Sequence, residues 1–149
     1  AMSGAPLGSA PFREAVAEHF LFTLVGFALG RERGWAFAVG DGAFCVDGEL
    51  TVLGPFPDNA PPYLAYALLG GLPTPAIELR PLDVHRLGSI VAATDGAASL
   101  DFAPLTTDPR VLLNPDMARR LVWQQARVRG FDDDATVIVA RRAPEGGAS

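Results

Sequence analysis

Apolar residues fall in short runs separated by Gly, Pro and Asp, a pattern that predicts many short elements rather than a few long ones. Residues 1–11, rich in Ala, Ser, Gly and Pro, read as a loose leader. Within it Ser9 and Pro11 mark the start of a short helix over residues 11–18, the serine as cap and the proline in the first turn. Residues 20–30 are too continuously apolar for a half-exposed strand. They form either a buried strand or an extension of that helix, and periodicity does not separate the two. After the charged turn Arg31-Glu32-Arg33-Gly34, Trp35, Phe37 and Val39 alternate with Ala36, Ala38 and Gly40, which predicts a strand with its large side chains packed on one face.

Asp47-Gly48 between the apolar stretches 44–46 and 50–53 is a strong two-residue hairpin signal. A Pro-rich loop over 54–62 contains Asn59. Residues 63–69 suit a short helix by composition or a strand by their aromatics, and Pro73 and Pro75 end them. A strand pair is expected at 77–79 and 82–87, then a buried strand over 89–94 that stops at Asp95-Gly96. Residues 97–111 read as loop. Asn114, Pro115 and Asp116 are cap, first-turn proline and dipole-matched acid of a helix over 115–128, with Met117, Leu121, Val122 and Ala126 as its apolar stripe and Gly130 as its stop. A last strand over 135–140 is closed by Arg141-Arg142. The fold class expected is α+β, mainly antiparallel β, a partial sandwich with one or two flanking helices in one domain over 12–142 and a disordered tail over 143–149.

Composition narrows the function classes. The 149 residues are 49% hydrophobic and 19% charged, enough apolar material for one core. A net charge of −5 argues against nucleic acid, whose phosphates call for clustered Lys and Arg. The single cysteine, Cys45, excludes an internal disulfide and a Cys-based zinc site, so a reducing, cytoplasmic compartment is the expectation. The apolar run at 20–29 is about half the length a bilayer span needs and lacks the basic flank of a signal peptide, so no membrane partner is expected. Trp35 and Trp123 are assigned to the core, and Cys45 is read as a small buried hydrophobe. His19 and His85, without spaced partners, are assigned to the surface.

Three carboxylates stand at the boundaries of apolar strands: Asp41 in Val39-Gly40-Asp41-Gly42, Asp95 in Thr94-Asp95-Gly96, and Asp133 in the run Asp132-Asp133-Asp134. Hard oxygen donors without His or Cys suit Mg²⁺ or Mn²⁺. Each Asp-Gly pair taken alone is an ordinary tight turn, and Asp47-Gly48 is read that way. Arg31, Arg33, Arg119, Arg120, Arg141 and Arg142 are candidate phosphate contacts, each with a solvated role as the simpler reading.

The order of these stretches resembles the C-terminal half of PP2C-type metal-dependent serine/threonine protein phosphatases. Val39-Gly40-Asp41-Gly42 before a hairpin, Ile90-Val91-Ala92-Ala93-Thr94-Asp95-Gly96, and the closing stretch from Gly130 to Val139 with Asp134 in place of the usual Asn are similar to that family's motifs. Pro57-Asp58-Asn59 resembles a loop of its small bacterial branch. The resemblance implies metal ligation by Asp95 and Asp133, a weaker contribution from Asp41, a metal-bound water as nucleophile, and a phosphoprotein substrate or a regulatory protein as partner. It also implies a missing early segment. Residues 1–19 hold no Asp, so the Asp-Gly-x-Gly turn that bridges the metals in the family is absent, and the isolated chain is expected to be inactive. The uncovered run Phe20, Phe22, Leu24 and Phe27 is then expected to sit on an open strand edge that invites a homodimer or another partner.

Overall fold

The first helix begins where a serine can cap it: the Phe12 amide donates to Ser9 Oγ at 3.4 Å and α1 runs over Ala10–His19. Ala10, assigned to the leader by sequence, joins Pro11 in its first turn. The computed structural model describes residues 7–69, 76–130 and 133–143. Part of the expected leader, Pro73, Pro75, Asp132 and most of the expected tail lie outside the described residues.

Seven strands follow: β1 (Leu24–Leu29), β2 (Gly34–Val39), β3 (Gly42–Val46), β4 (Glu49–Leu53), β5 (Glu78–Leu82), β6 (Ser89–Ala93) and β7 (Val137–Arg141). They build a three-stranded sheet in the order β1-β2-β5 and a four-stranded sheet in the order β4-β3-β6-β7. Every pairing is antiparallel. With the helices described below, this is the α+β, mainly antiparallel architecture the pattern predicts. The β3–β4 hairpin turns at Asp47 and Gly48, both at positive φ, and Asp47 Oδ1 also accepts the Gly88 and Ser89 amides at 2.9 and 2.7 Å, tying the turn to the start of β6. Pro81 lies in β5, an edge strand, where a missing N–H costs no ladder bond.

The sheets pack against each other through Ala36, Ala38, Phe44, Leu82, Ile90 and Ala92. This corrects the expectation for β2. Ala36 and Ala38 face the space between the sheets, while Trp35 and Phe37 lie on the other face, Trp35 42% exposed and Phe37 half-buried; of the three large residues only Val39 is buried. Two alanines leave room for Phe44 and Ile90 of the facing sheet, and close packing rewards that match of large against small. The 20–30 run is corrected too: its strand spans only Leu24–Leu29, lies at a sheet edge and is largely exposed or half-buried.

The other face of the four-stranded sheet carries a helical layer of α3 (Ala103–Thr107), α4 (Pro109–Leu113) and α5 (Pro115–Arg129). Ala43, Cys45, Val91, Ala93, Phe102 and Leu105 are buried between them, with Leu121 and Val122 of α5 packed on top. Helices therefore replace the loop expected over 97–111, and a 3-10 turn at Asp95–Ala97 precedes them. The α5 boundaries match the sequence signals: the Asp116 amide donates to Asn114 Oδ1 at 3.0 Å and Gly130 terminates the helix at φ 75°. Trp123 points out of this layer and is 63% exposed, contrary to its assignment to the core. The strand expected over 82–87 is instead a turn closed on Asp83, whose carboxylate accepts the His85 amide at 3.0 Å. A short α2 (Tyr66–Leu69) lies by α1, where Phe12, Val16 and Ala65 form a small separate core.

The sheets are of unequal width. β1 lies against β6, and Arg80 of β5 reaches Thr51 Oγ1 and Glu49 Oε2 of β4 at 3.4 and 3.2 Å. With β5 over β4 and β1 over β6, β7 is left without a counterpart strand in the smaller sheet among the described residues. Among the described residues no helix is long and apolar enough to cross a membrane.

Candidate functional site

Antiparallel register brings three strand ends together. Ala93, the last residue of β6, pairs with Val137 at the start of β7 and with Ala43 at the start of β3. The segment leaving β6 carries Asp95, the segment entering β7 carries Asp133, and the segment entering β3 carries Asp41. All three therefore lie on one rim of the sandwich. Sequence reasoning proposed these residues, and topology places them at the same end.

Backbone fit fixes the rim. The Thr94 amide donates to Thr136 O at 3.0 Å and the Thr136 amide to Thr94 Oγ1 at 2.9 Å, which extends the β6–β7 pairing past the strands. A Cβ on Gly96 would stand 2.6 Å from Asp134 O and 3.0 Å from Asp133 O, so glycine there lets the Asp133 loop close onto the Asp95 turn. Gly42 has φ 140°, and a Cβ there would stand 2.7 Å from Ala93 O; glycine is what brings Asp41 to the end of β6. Asp95 and Asp133 each commit one oxygen to the next amide, Gly96 at 2.9 Å and Asp134 at 2.7 Å.

Electrostatics registers the convergence. The Asp41 carboxyl is pushed above the usual carboxylate range, first by partial burial, next by the charge of Asp95 and to a smaller degree by that of Asp133. Its own backbone and the Thr23 hydroxyl pull the other way. Tyr63 belongs to the same neighbourhood: burial raises its phenol first, followed by the charges of Asp41, Tyr66 and Asp95. Thr23 and Tyr63 carry no sequence signal, being a residue before an edge strand and an aromatic in a Pro-rich stretch. Arg127 on α5 shares an open depression with Asp133 and Asp134 and was likewise not singled out by sequence.

The other candidates fall elsewhere. β1 and β7 both run away from the rim, so Arg31, Arg33, Arg141 and Arg142 lie at the opposite end of the sandwich. There Arg141 donates to Asp108 O at 2.5 Å and Arg142 to Leu87 O at 3.0 Å. Arg119 pairs with Asp116 at 3.4 Å on α5, beside Arg120. His85 and His19 are exposed, 3.4 Å from Glu32 and 3.8 Å from Glu18.

The three carboxylates fit a hard divalent cation in donor type but not as a closed shell: among the described residues no group of three or more His, Cys, Asp or Glu is placed to hold a metal ion. No protein-family model matches the chain, and no curated protein matches it.

Proposed function

We propose that this chain is a portion of a PP2C-type protein phosphatase domain. It would hydrolyse phosphoserine and phosphothreonine in a cytoplasmic phosphoprotein once the missing metal-binding segment is supplied. The observation that carries the reading is the convergence of Asp41, Asp95 and Asp133, from three separate strand ends, on one rim. Such a cluster is costly without a cation at Asp41, whose partly buried carboxylate is opposed by the charges of Asp95 and Asp133. In this reading Asp95 and Asp133 hold Mg²⁺ or Mn²⁺ through the oxygens not committed to amides, and Asp41 contributes more weakly, steadied by Thr23. Arg127 offers a cation to the phosphoryl oxygens from the side of Asp133. Bound metal would supply an activated water and neutralise the phosphoryl group. One finding favours a second reading, an inactive pseudophosphatase that acts as a binding or regulatory module: the described residues lack a three-ligand group.

Phosphate release from a phosphothreonine peptide in Mn²⁺ tests both. The chain alone should stay near background. Adding a segment with the Asp-Gly-x-Gly turn, fused or in trans, should raise release by more than about 100-fold, small against enzymatic accelerations generally. Asp95→Asn should abolish that gain. No gain on supplementation selects the binding-module reading, and strong turnover by the chain alone that survives Asp95→Asn places the chemistry elsewhere.

A further inference from the structure

The side of the sandwich between β1 and β7 is open. Among the described residues β1 ends the three-stranded sheet with an unpaired edge, while β7 extends beneath the place where a further strand would pair with it. Two residues that face the inter-sheet space are consequently uncovered. Ile138, opposite Ala92 in the register, is 50% exposed, and Leu29, on the same face of β1 as Val25 and Phe27, is 43% exposed. Leu29 and Ala140 line a groove at one end of this gap together with Arg141 and Arg142. The smaller sheet is one strand short of the larger.

We infer that the free edge of β1 is a docking site for a single extended segment of a partner protein. That segment pairs antiparallel with β1, with alternate apolar side chains over Ile138 and Leu29, acidic residues at its N-terminal end and basic residues at its C-terminal end. An exposed edge offers a row of main-chain donors and acceptors to an incoming strand, and pockets for alternate side chains give selectivity. Every strand pair of the fold is antiparallel, and with that direction charge complementarity fixes which end of the segment is acidic. Along β1 the gap starts at the rim of Asp41, Asp95 and Asp133 and finishes among Arg31, Arg33, Arg141 and Arg142. At that second end Glu32 lies 3.4 Å from His85, the Asp47 carboxylate accepts the Gly88 and Ser89 amides and the Asp108 carboxylate is paired with Arg110, while Arg142 donates to the neutral carbonyls of Leu87 and Val84 and Arg31, Arg33 and Arg141 add further positive charge. An antiparallel strand begins at the arginines and ends at the aspartates. Antiparallel pairing of β1 with the β1 of a second copy does not fit, because it would carry the copy's own β6 onto the place that β7 occupies. This inference rests on the sheet geometry and not on phosphatase chemistry.

The test uses two capped fluorescent peptides of about eight residues, both with a Val-Thr alternating centre. One has Asp-Asp first and Lys-Lys last, the other the reverse. By fluorescence anisotropy at low salt the acid-first peptide should bind at least about tenfold more tightly, and the preference should shrink at about 1 M salt. Ile138→Asp, a change at a half-exposed site, should weaken acid-first binding at least about tenfold, while Ile138→Val should leave it nearly unchanged. Equal binding of the two peptides, preference for the basic-first one, absence of binding by either, or indifference to Ile138→Asp would each overturn the proposal. So would a stable dimer by sedimentation that Ile138→Asp dissociates, which would assign the edge to a second copy.

Discussion

Asp41 is a carboxyl whose ionisation the fold opposes. Its folded proton affinity is raised, by burial first and then by Asp95, above the ordinary value of 3.8 that describes the unfolded chain. As pH rises from 3.8 through the raised value, the folded state keeps a proton the unfolded state has lost, so stability falls across that window and the penalty persists above it. Asp41→Asn removes the charge while keeping an oxygen for Thr23. The variant should melt above the wild type at pH 7 without divalent metal, and the difference should vanish below 3.8. Thermal melts of both proteins across that range check the sign. A variant less stable at neutral pH would mean that the Asp41 charge is compensated within the chain.

At the scale of elements, α5 is held mainly by its cap and a partial apolar face, since none of its residues is fully buried. Removing the cap acceptor with Asn114→Ala should therefore cost about 1 kcal/mol, near the middle of the range for such caps. Urea unfolding should show a lower midpoint with an unchanged slope. Elements of this kind are legible in a sequence because their signals are local. Ser9 before α1, Asn114-Pro115 before α5 and Asp47-Gly48 between β3 and β4 satisfy backbone groups or turn geometry within a few residues. The helix over 103–107 lacks such clarity, because it is little more than one turn, has no side-chain cap and is held by Leu105 against the sheet, whereas α4 carries a local signal in Asp108-Pro109, the Asp108 carboxylate accepting the Arg110 amide at 2.9 Å.

On the scale of the whole molecule, the layers should differ sharply in sensitivity. Leu105 is fully buried where α3 meets the four-stranded sheet, so Leu105→Ala should cost about 2–5 kcal/mol. Trp123, a larger residue on the outside of the same layer, should change stability by no more than about 0.5 kcal/mol on Trp123→Ala. Denaturant midpoints of the two variants compare them directly. A comparable loss at both sites would mean that Trp123 is covered in solution by something outside the chain.

Local chemistry alone determined where the β3–β4 hairpin, β6 and the long helix start and stop, which Asp-Gly pair is a simple hairpin, and which carboxylates stand at strand ends. The α+β class followed from that pattern, and so did the choice of Asp41, Asp95 and Asp133 as candidates. What faces the core was decided only by tertiary structure. Strand alternation separates two faces without saying which is inside, and β2 buries Ala36 and Ala38 rather than Trp35 and Phe37 because the opposing sheet brings Phe44 and Ile90 into that space. The meeting of the three aspartates was decided at the same level, since it depends on β6 lying between β3 and β7, an order of pairing written in no single stretch of sequence. Thr23, Tyr63 and Arg127 join the rim for that reason too: long-range packing delivers them, and their own neighbours in the chain carry no mark of it.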